Sequence, residues 1–252
     1  MSRHPFRLAS ALVALALQLC LLAAPAAAQP RRRAATAATN VPSPQAVLGF
    51  APGTDRTIAD WTQITNYFTR LDAASERVRV ETIGQSTLGR PLVVAYISAP
   101  ENIRDLARYQ EVQRRLADPR TVGDAAERDR LIHEGRAVVV VSCSIHSTEI
   151  VASQMSMQLA YELATAQDAE TVTILRNTIL LLIPSPNPDG IQIVADWYRK
   201  TLGTPYEGVE PPELYHTYAG HDDNRDWFML NLAETQALTR LFWKEWFPQV
   251  VY

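Results

Sequence analysis

The chain has 252 residues, 47% of them hydrophobic and 20% charged, with a formal net charge of −3. That is an ordinary globular balance, and the length suffices for one large domain. No basic stripe with interleaved aromatics is present, so the sequence carries no sign of nucleic-acid binding.

Arg3 and Arg7 precede an apolar run from Leu8 to Leu22, and Ala26-Ala27-Ala28 offers a small-residue cleavage site. Residues 1–28 therefore read as a secretory signal peptide, too short and wrongly flanked for a membrane span. A secreted or periplasmic protein is expected, with no stable membrane insertion after cleavage. Cys20 lies inside the apolar run, where Leu17-Gln18-Leu19 makes a poor lipoprotein signal. Removing the signal leaves only Cys143, so no internal disulfide is expected. A lone Cys in a Val-rich strand reads as buried packing, with catalysis the remote alternative.

Residues 29–46, with Arg31-Arg32-Arg33, Pro42 and Pro44, lack periodicity and read as a flexible leader. The folded domain is assigned to residues 47–252. Trp61, Ile64, Phe68 and Leu71 mark an amphipathic helix. Val78 and Val80 alternate with Arg77, Arg79 and Glu81, as in an outer strand with one wet face. A turn-rich link from Gly84 to Pro91 leads into a second strand, Leu92 to Ser98. Gly84-Gln85-Ser86 is not a serine-hydrolase elbow, because Leu88 stands where glycine is needed. Ile103, Leu106, Tyr109 and Leu116 predict a charged helix ending before Pro119, and a polar helix follows around Ala125 to Glu134.

The run Ala137-Val138-Val139-Val140-Val141 has no polar alternation and predicts a strand buried on both faces. After Glu149 the apolar spacing becomes helical, through Val151, Met155, Leu159 and Leu163. His146 and Glu149 thus fall where a central strand ends and a helix begins, the position at which open α/β sheets bind ligands. An imidazole and a carboxylate three residues apart there can reach one cation. The alternative gives Glu149 to the first helical turn, where its charge suits the macrodipole, and leaves His146 as a loop histidine. Ile179 to Ile183 predicts another buried strand, closed by Pro184 to Gly190. Trp197 to Asp226 reads as a long loop, and such loops are usually functional. Leu232 to Trp246 reads as a helix, and Gln249 to Tyr252 as the opening of a strand. Alternating strands and helices predict an α/β/α sandwich around a mixed, largely parallel sheet.

Four ordered blocks carry a family resemblance. Gly84-Gln85-Ser86-Thr87-Leu88-Gly89-Arg90-Pro91, His146-Ser147-Thr148-Glu149, Asn187-Pro188-Asp189-Gly190 and Asn224-Arg225-Asp226-Trp227 resemble G-x-S-x-x-G-R-P, H-x-x-E, N-P-D-G and N-R-x-W. These are segments of the zinc metallocarboxypeptidases, the carboxypeptidase A-like peptidases. The resemblance implies a three-layer α/β/α fold around a mixed eight-stranded sheet. It implies Zn2+ held by His146 and Glu149, and a substrate's terminal carboxylate held by Asn224 and Arg225. Trp197-Tyr198-Arg199-Lys200-Thr201 resembles the family segment whose Arg stabilises the oxyanion, which makes Arg199 the catalytic candidate. The implied substrate is a peptide with a free C-terminal carboxylate.

Two departures qualify the match. Thr148 stands where many relatives carry Arg. The family's third zinc ligand and its general-base Glu have no counterpart here, since His133 precedes the central strand and His216 and His221 lie in the loop before Asn224. The four residues Gln249 to Tyr252 start the strand whose end carries the third ligand in the family. The expectation is therefore an N-terminal portion of a longer catalytic domain, lacking the C-terminal part of the sheet and inactive alone. Two other functions compete: a zinc amidase or deacylase on the same scaffold, and a non-catalytic peptide-binding module.

Overall fold

The computed structural model describes residues 41–213, 216 and 219–252. The expected signal peptide and most of the leader lie outside the described residues. Helix α1, Pro44–Leu48, begins within the stretch read as leader. Its residues are ordered by local chemistry: Ser43 Oγ accepts from Ala46 N, Pro44 opens the helix, and Gly49 at φ 83° closes it.

Helix α2, Trp61–Ala74, starts in a capping box. Gln63 N donates to Asp60 Oδ1 at 2.8 Å, and Asp60 N donates to Gln63 Oε1 at 3.0 Å. Its buried stripe is Trp61, Ile64, Tyr67, Phe68 and Leu71, the stripe its spacing predicts with Tyr67 added. Strands β1, Val78–Gln85, and β2, Pro91–Ile97, pair antiparallel around the Ser86–Arg90 turn. Gly89 takes φ 81° there, a conformation open to glycine at no steric cost. Two helices, α3 (Pro100–Ile103) and α4 (Leu106–Ala117), a short 3-10 turn at Pro119–Thr121 and helix α5 (Ala125–Glu134) follow.

The central strand β3 is Ala137–Ser142, and helix α6 runs Ile150–Thr165. Helix α7 (Ala169–Asn177), strand β4 (Thr178–Ile183) and helix α8 (Pro188–Thr201) come next. The stretch read as loop from Trp197 is helical as far as Thr201. Asn187 Oδ1 accepts from Gly190 N, Pro188 follows the cap, and Ile191, Val194 and Ala195 give the helix a buried face. A 3-10 turn at Asp223–Arg225 precedes helix α9, Ala233–Arg240. The helix read to Trp246 continues there as a π-helical segment, Leu241–Trp246, and ends at Phe247 with φ 47°. Strand β5, Val250–Val251, closes the order.

Among the described residues the sheet has five strands in the order β1-β2-β4-β3-β5. β2 pairs antiparallel with β1 and β4, whereas β3 pairs parallel with β4 and β5. The sheet is mixed, with its parallel part confined to β4, β3 and β5. Alternate residues of β2 point to opposite faces, so Val93, Ala95 and Ile97 join one core and Val94 and Tyr96 the other. The first core packs α2 and α6 against the sheet, and the second packs α9 and the π-helical segment. Two helical layers thus enclose one sheet, an α/β/α sandwich. β3 buries Val138 and Val140 completely, while Val139 and Val141 are covered only in part. Among the described residues, no helix is long and apolar enough to cross a membrane.

Candidate metal and peptide site

The backbone after β3 is fixed by small polar side chains. Ser144 adopts φ 48°, a conformation non-glycine residues rarely take. Its Oγ donates to Glu149 O at 2.7 Å and accepts from Ser153 N at 2.9 Å, which ties the loop to α6. Ser185 Oγ donates to Ser144 O at 2.9 Å, and Asn187 Nδ2 donates to Ile145 O at 3.3 Å. A Cβ on Gly190 would lie 2.4 Å from Ser147 Oγ, so only glycine lets the start of α8 approach this loop. The N-P-D-G block is thus the buttress of the H-x-x-E block.

Asp189 links that buttress to the Ser86–Arg90 turn. Its fully buried carboxylate accepts from Ser86 Oγ (2.7 Å), Leu88 N (3.0 Å) and Arg90 Nη1 (2.7 Å). Three of the four sequence blocks are therefore one hydrogen-bonded assembly that positions the loop after β3.

On this loop His146 Nδ1 and Glu149 Oε1 lie 3.1 Å apart. Glu149 precedes α6 but makes no side-chain hydrogen bond to the helix N-terminus. Its carboxylate is turned to the imidazole instead. The other ring nitrogen, His146 Nε2, is 3.5 Å from Asp222 Oδ2 and 3.4 Å from Asn224 Nδ2. The 3-10 turn thus reaches the same histidine from the opposite side of the ring. Asp222 escaped the sequence reading; its signal was an acidic residue two positions before Asn224. Arg225 is exposed, its guanidinium only 3.5 Å from the carbonyl of Asn224, and among the described residues it has no ion pair. The structure therefore brings His146, Glu149 and Asn224 together and leaves a solvent-facing cation beside them.

Arg199 is placed differently. Its guanidinium donates to Asp60 Oδ2 (2.7 Å), Gln63 Oε1 (2.9 Å) and Ile58 O (3.2 Å), all at the start of α2. No contact among the described residues joins it to His146.

Beneath the 3-10 turn lies an acidic interior. Asp226, fully buried, accepts from His221 Nε2 (2.8 Å), Asn231 N (3.1 Å), Leu232 N (2.9 Å) and Thr235 Oγ1. Burial pushes its carboxyl up, but these donors outweigh it and hold Asp226 below the usual carboxylate range. His221 is committed to this support. Asp223, also fully buried, has no hydrogen-bond partner for either carboxylate oxygen among the described residues, and Oδ1 lies 3.4 Å from His216 Nε2. Burial, reinforced by Glu234, Asp222, Asp226 and Asp189, pushes Asp223 up to about 8. Burial also lowers His216 from its ordinary value, against the pull of Glu234, Asp222 and Asp189. Cys143, at the end of β3, is free and buried, and burial raises its thiol to about 11, consistent with packing.

A family model described as zinc carboxypeptidase matches residues 64–242, and the chain belongs to that family. Among solved structures, it is similar to a thrombin-activatable fibrinolysis inhibitor at 10% identity and a TM-score of 0.45, covering 74% of this chain and 44% of that one. A carboxypeptidase A from Helicoverpa armigera matches at 17% identity and a TM-score of 0.39, over 64% of this chain and 32% of that one. A metallo-carboxypeptidase from Burkholderia cenocepacia matches at 15% identity and 0.43, over 71% and 36%. The chain thus spans less than half the length of each of these structures. A search of curated proteins gives no significant match.

Proposed function

We propose that this protein is an exported zinc-dependent metallocarboxypeptidase that hydrolyses the C-terminal peptide bond of peptides. The observation that carries this reading is the convergence on one imidazole, with Glu149 Oε1 at 3.1 Å from Nδ1 and Asn224 Nδ2 at 3.4 Å from Nε2. Two ligand atoms on one tetrahedral zinc are about 3.4 Å apart, given bonds of about 2.0–2.2 Å, so the His146–Glu149 pair fits a shared ion. Among the described residues no group of three or more His, Cys, Asp or Glu side chains is arranged to hold a metal. The fit is that of two of the three protein ligands a catalytic zinc takes.

When bound, zinc supplies a Lewis acid and lowers the pKa of its water toward ~7. The chain's own residues do the rest of what is proposed here. Asp222 Oδ2, 3.5 Å from His146 Nε2, backs the ring on the side away from Glu149 and would help hold Nδ1 toward a shared ion. Arg225 clamps the substrate's terminal carboxylate through its planar guanidinium, and Asn224 adds a hydrogen bond. Arg199 stays with α2 and holds the helix that carries it. Residues 1–28 serve as the export signal, 29–46 as a leader, and 47–252 as the catalytic domain.

The test compares wild-type protein with Arg225→Ala on free-carboxylate and C-terminally amidated peptides. Loss of a charged hydrogen bond worth ~1.5–3 kcal/mol lowers kcat/KM about tenfold to a hundredfold on the free acid, with little change on the amide. Equal losses on both would remove the clamp and favour an amidase or deacylase.

A further inference from the structure

The 3-10 turn Asp223–Arg225 stands on a buried acid. Asp222 and Asn224, the neighbours of Asp223 in sequence, reach His146 Nε2 at 3.5 and 3.4 Å. Asp223 itself is wholly enclosed. We propose that Asp223 is a positioning residue for the carboxylate clamp: its protonated side chain keeps the turn seated, and loss of that proton unseats Asn224 and Arg225. The consequence for substrate binding rests on the carboxypeptidase reading, whereas the seating of the turn does not.

The first support is the bareness of the carboxyl. Neither oxygen of Asp223 has a hydrogen-bond partner among the described residues. A buried charge without donors costs far more than a buried neutral acid, so this geometry suits the protonated form. Asp226, three residues on, shows the contrast. It accepts from His221 Nε2, Asn231 N, Leu232 N and Thr235 Oγ1, a set of donors fit to hold a carboxylate.

The second is the company Asp223 keeps. The charges acting on it share its sign: Asp222 and Asp226 beside it, Asp189 at the start of α8 and Glu234 in α9. Asp189 is offset by Arg90 at 2.7 Å, and His221 is committed to Asp226. The basic group next to Asp223 is His216, with Nε2 3.4 Å from Oδ1. Burial lowers the His216 pKa, so its ring is already neutral where Asp223 ionises, at about 8. Ionisation therefore leaves a bare charge in an acidic layer.

The third is how the turn is fastened. Arg225 N donates to Asp222 O at 3.0 Å, and Asp226 N donates to Asp223 O at 3.1 Å. The Asp226 carboxylate pins the far end of the turn, and the buried Asp223 side chain seats the near end. A charged Asp223 regains hydration only by moving outward, and its backbone then carries Asn224 away from His146. Arg225, exposed and without an ion pair among the described residues, goes where the turn goes.

The first test needs no substrate. Trypsin cleaves folded proteins where the backbone opens locally, so cleavage after Arg225 reports the turn. Cleavage after Arg120 is the internal control, because that side chain is 87% exposed and its partner Asp118, at about 2, does not titrate near pH 8. Between pH 7 and 9 the ionised fraction of Asp223 goes from about one-tenth to about nine-tenths. The Arg225-to-Arg120 cleavage ratio, read by mass spectrometry, should rise about five- to tenfold over that range in the wild type. It should stay flat in Asp223→Asn and in Asp223→Leu, and either variant suffices where the other fails to fold. A flat ratio in the wild type, or the same rise in a folded variant, overturns the proposal. The second test reads the clamp. KM for a free-acid peptide should rise about fivefold from pH 7 to pH 9 in the wild type, with KM for its C-terminal amide level, and Asp223→Asn should hold the free-acid KM level. A rising cleavage ratio with a level free-acid KM removes the positioning role. Failure of the carboxypeptidase reading looks different: the cleavage ratio still rises, but no free-acid peptide is hydrolysed at either pH.

Discussion

Asp223 offers the sharpest test of how the buried acidic layer is held. Its carboxyl keeps its proton up to about pH 8 in the folded protein, against 3.8 for the free group. A raised carboxyl pKa means that the folded state binds more protons than the unfolded chain between those values. Its contribution to stability is therefore fully present below about pH 4 and is lost as pH rises through about 8. His216 has the opposite sign: its pKa is lowered from 6.5, so it opposes stability as pH falls below that value. The two effects overlap below pH 6.5, and between 6.5 and 8 only Asp223 acts. At about 1.4 kcal/mol per pH unit, that window is worth ~2 kcal/mol. Urea unfolding at pH 6.5, 7.2 and 8.0 should show stability falling by about this amount in the wild type. Asp223→Asn keeps the shape, removes the titration and should flatten the slope, leaving the variant relatively more stable at pH 8. Parallel curves for the two proteins would refute the reasoning.

Gly190→Ala forces a methyl group to 2.4 Å from Ser147 Oγ, so a loss of about 1–3 kcal/mol in thermal unfolding is expected. Because the displaced loop carries His146, zinc affinity measured by competition with a chelator should fall as well. Arg199→Ala removes the bonds to Asp60 and Gln63 at the head of α2. It should cost ~1 kcal/mol of stability and change kcat by less than threefold; a hundredfold loss of kcat in a normally stable variant would instead restore the oxyanion role.

The strands and most helices were legible because burial leaves a periodic mark. The Val138–Val141 run, the Trp61–Leu71 stripe and the break at Pro119 each state a local preference that the fold keeps. The H-x-x-E and N-R-x-W blocks were legible as types of chemistry, and the structure adds their proximity. Long-range hydrogen bonding was not legible. Ser144, Ser185 and Asn187 look like loop residues until the sheet brings β3 and β4 side by side, and only then do they fasten the His146 loop. Helix α8 was not read, because its first turn coincides with a Pro- and Gly-rich block that also describes a turn and its last residues fall in the stretch from Trp197 read as loop. That helix is what carries Arg199 to the Asp60 cap. Asp222 escaped notice because its partner, His146, is distant in sequence and meets it only through the 3-10 turn.

The central claim is that His146 and Glu149 share a zinc ion, and crystals soaked in Zn2+ test it most directly. Anomalous diffraction collected on both sides of the zinc absorption edge locates the ion. The account predicts a peak about 2.0–2.2 Å from His146 Nδ1 and from a Glu149 carboxylate oxygen, lost in His146→Ala. A zinc peak elsewhere on the protein, or none at this loop in wild-type crystals, contradicts it.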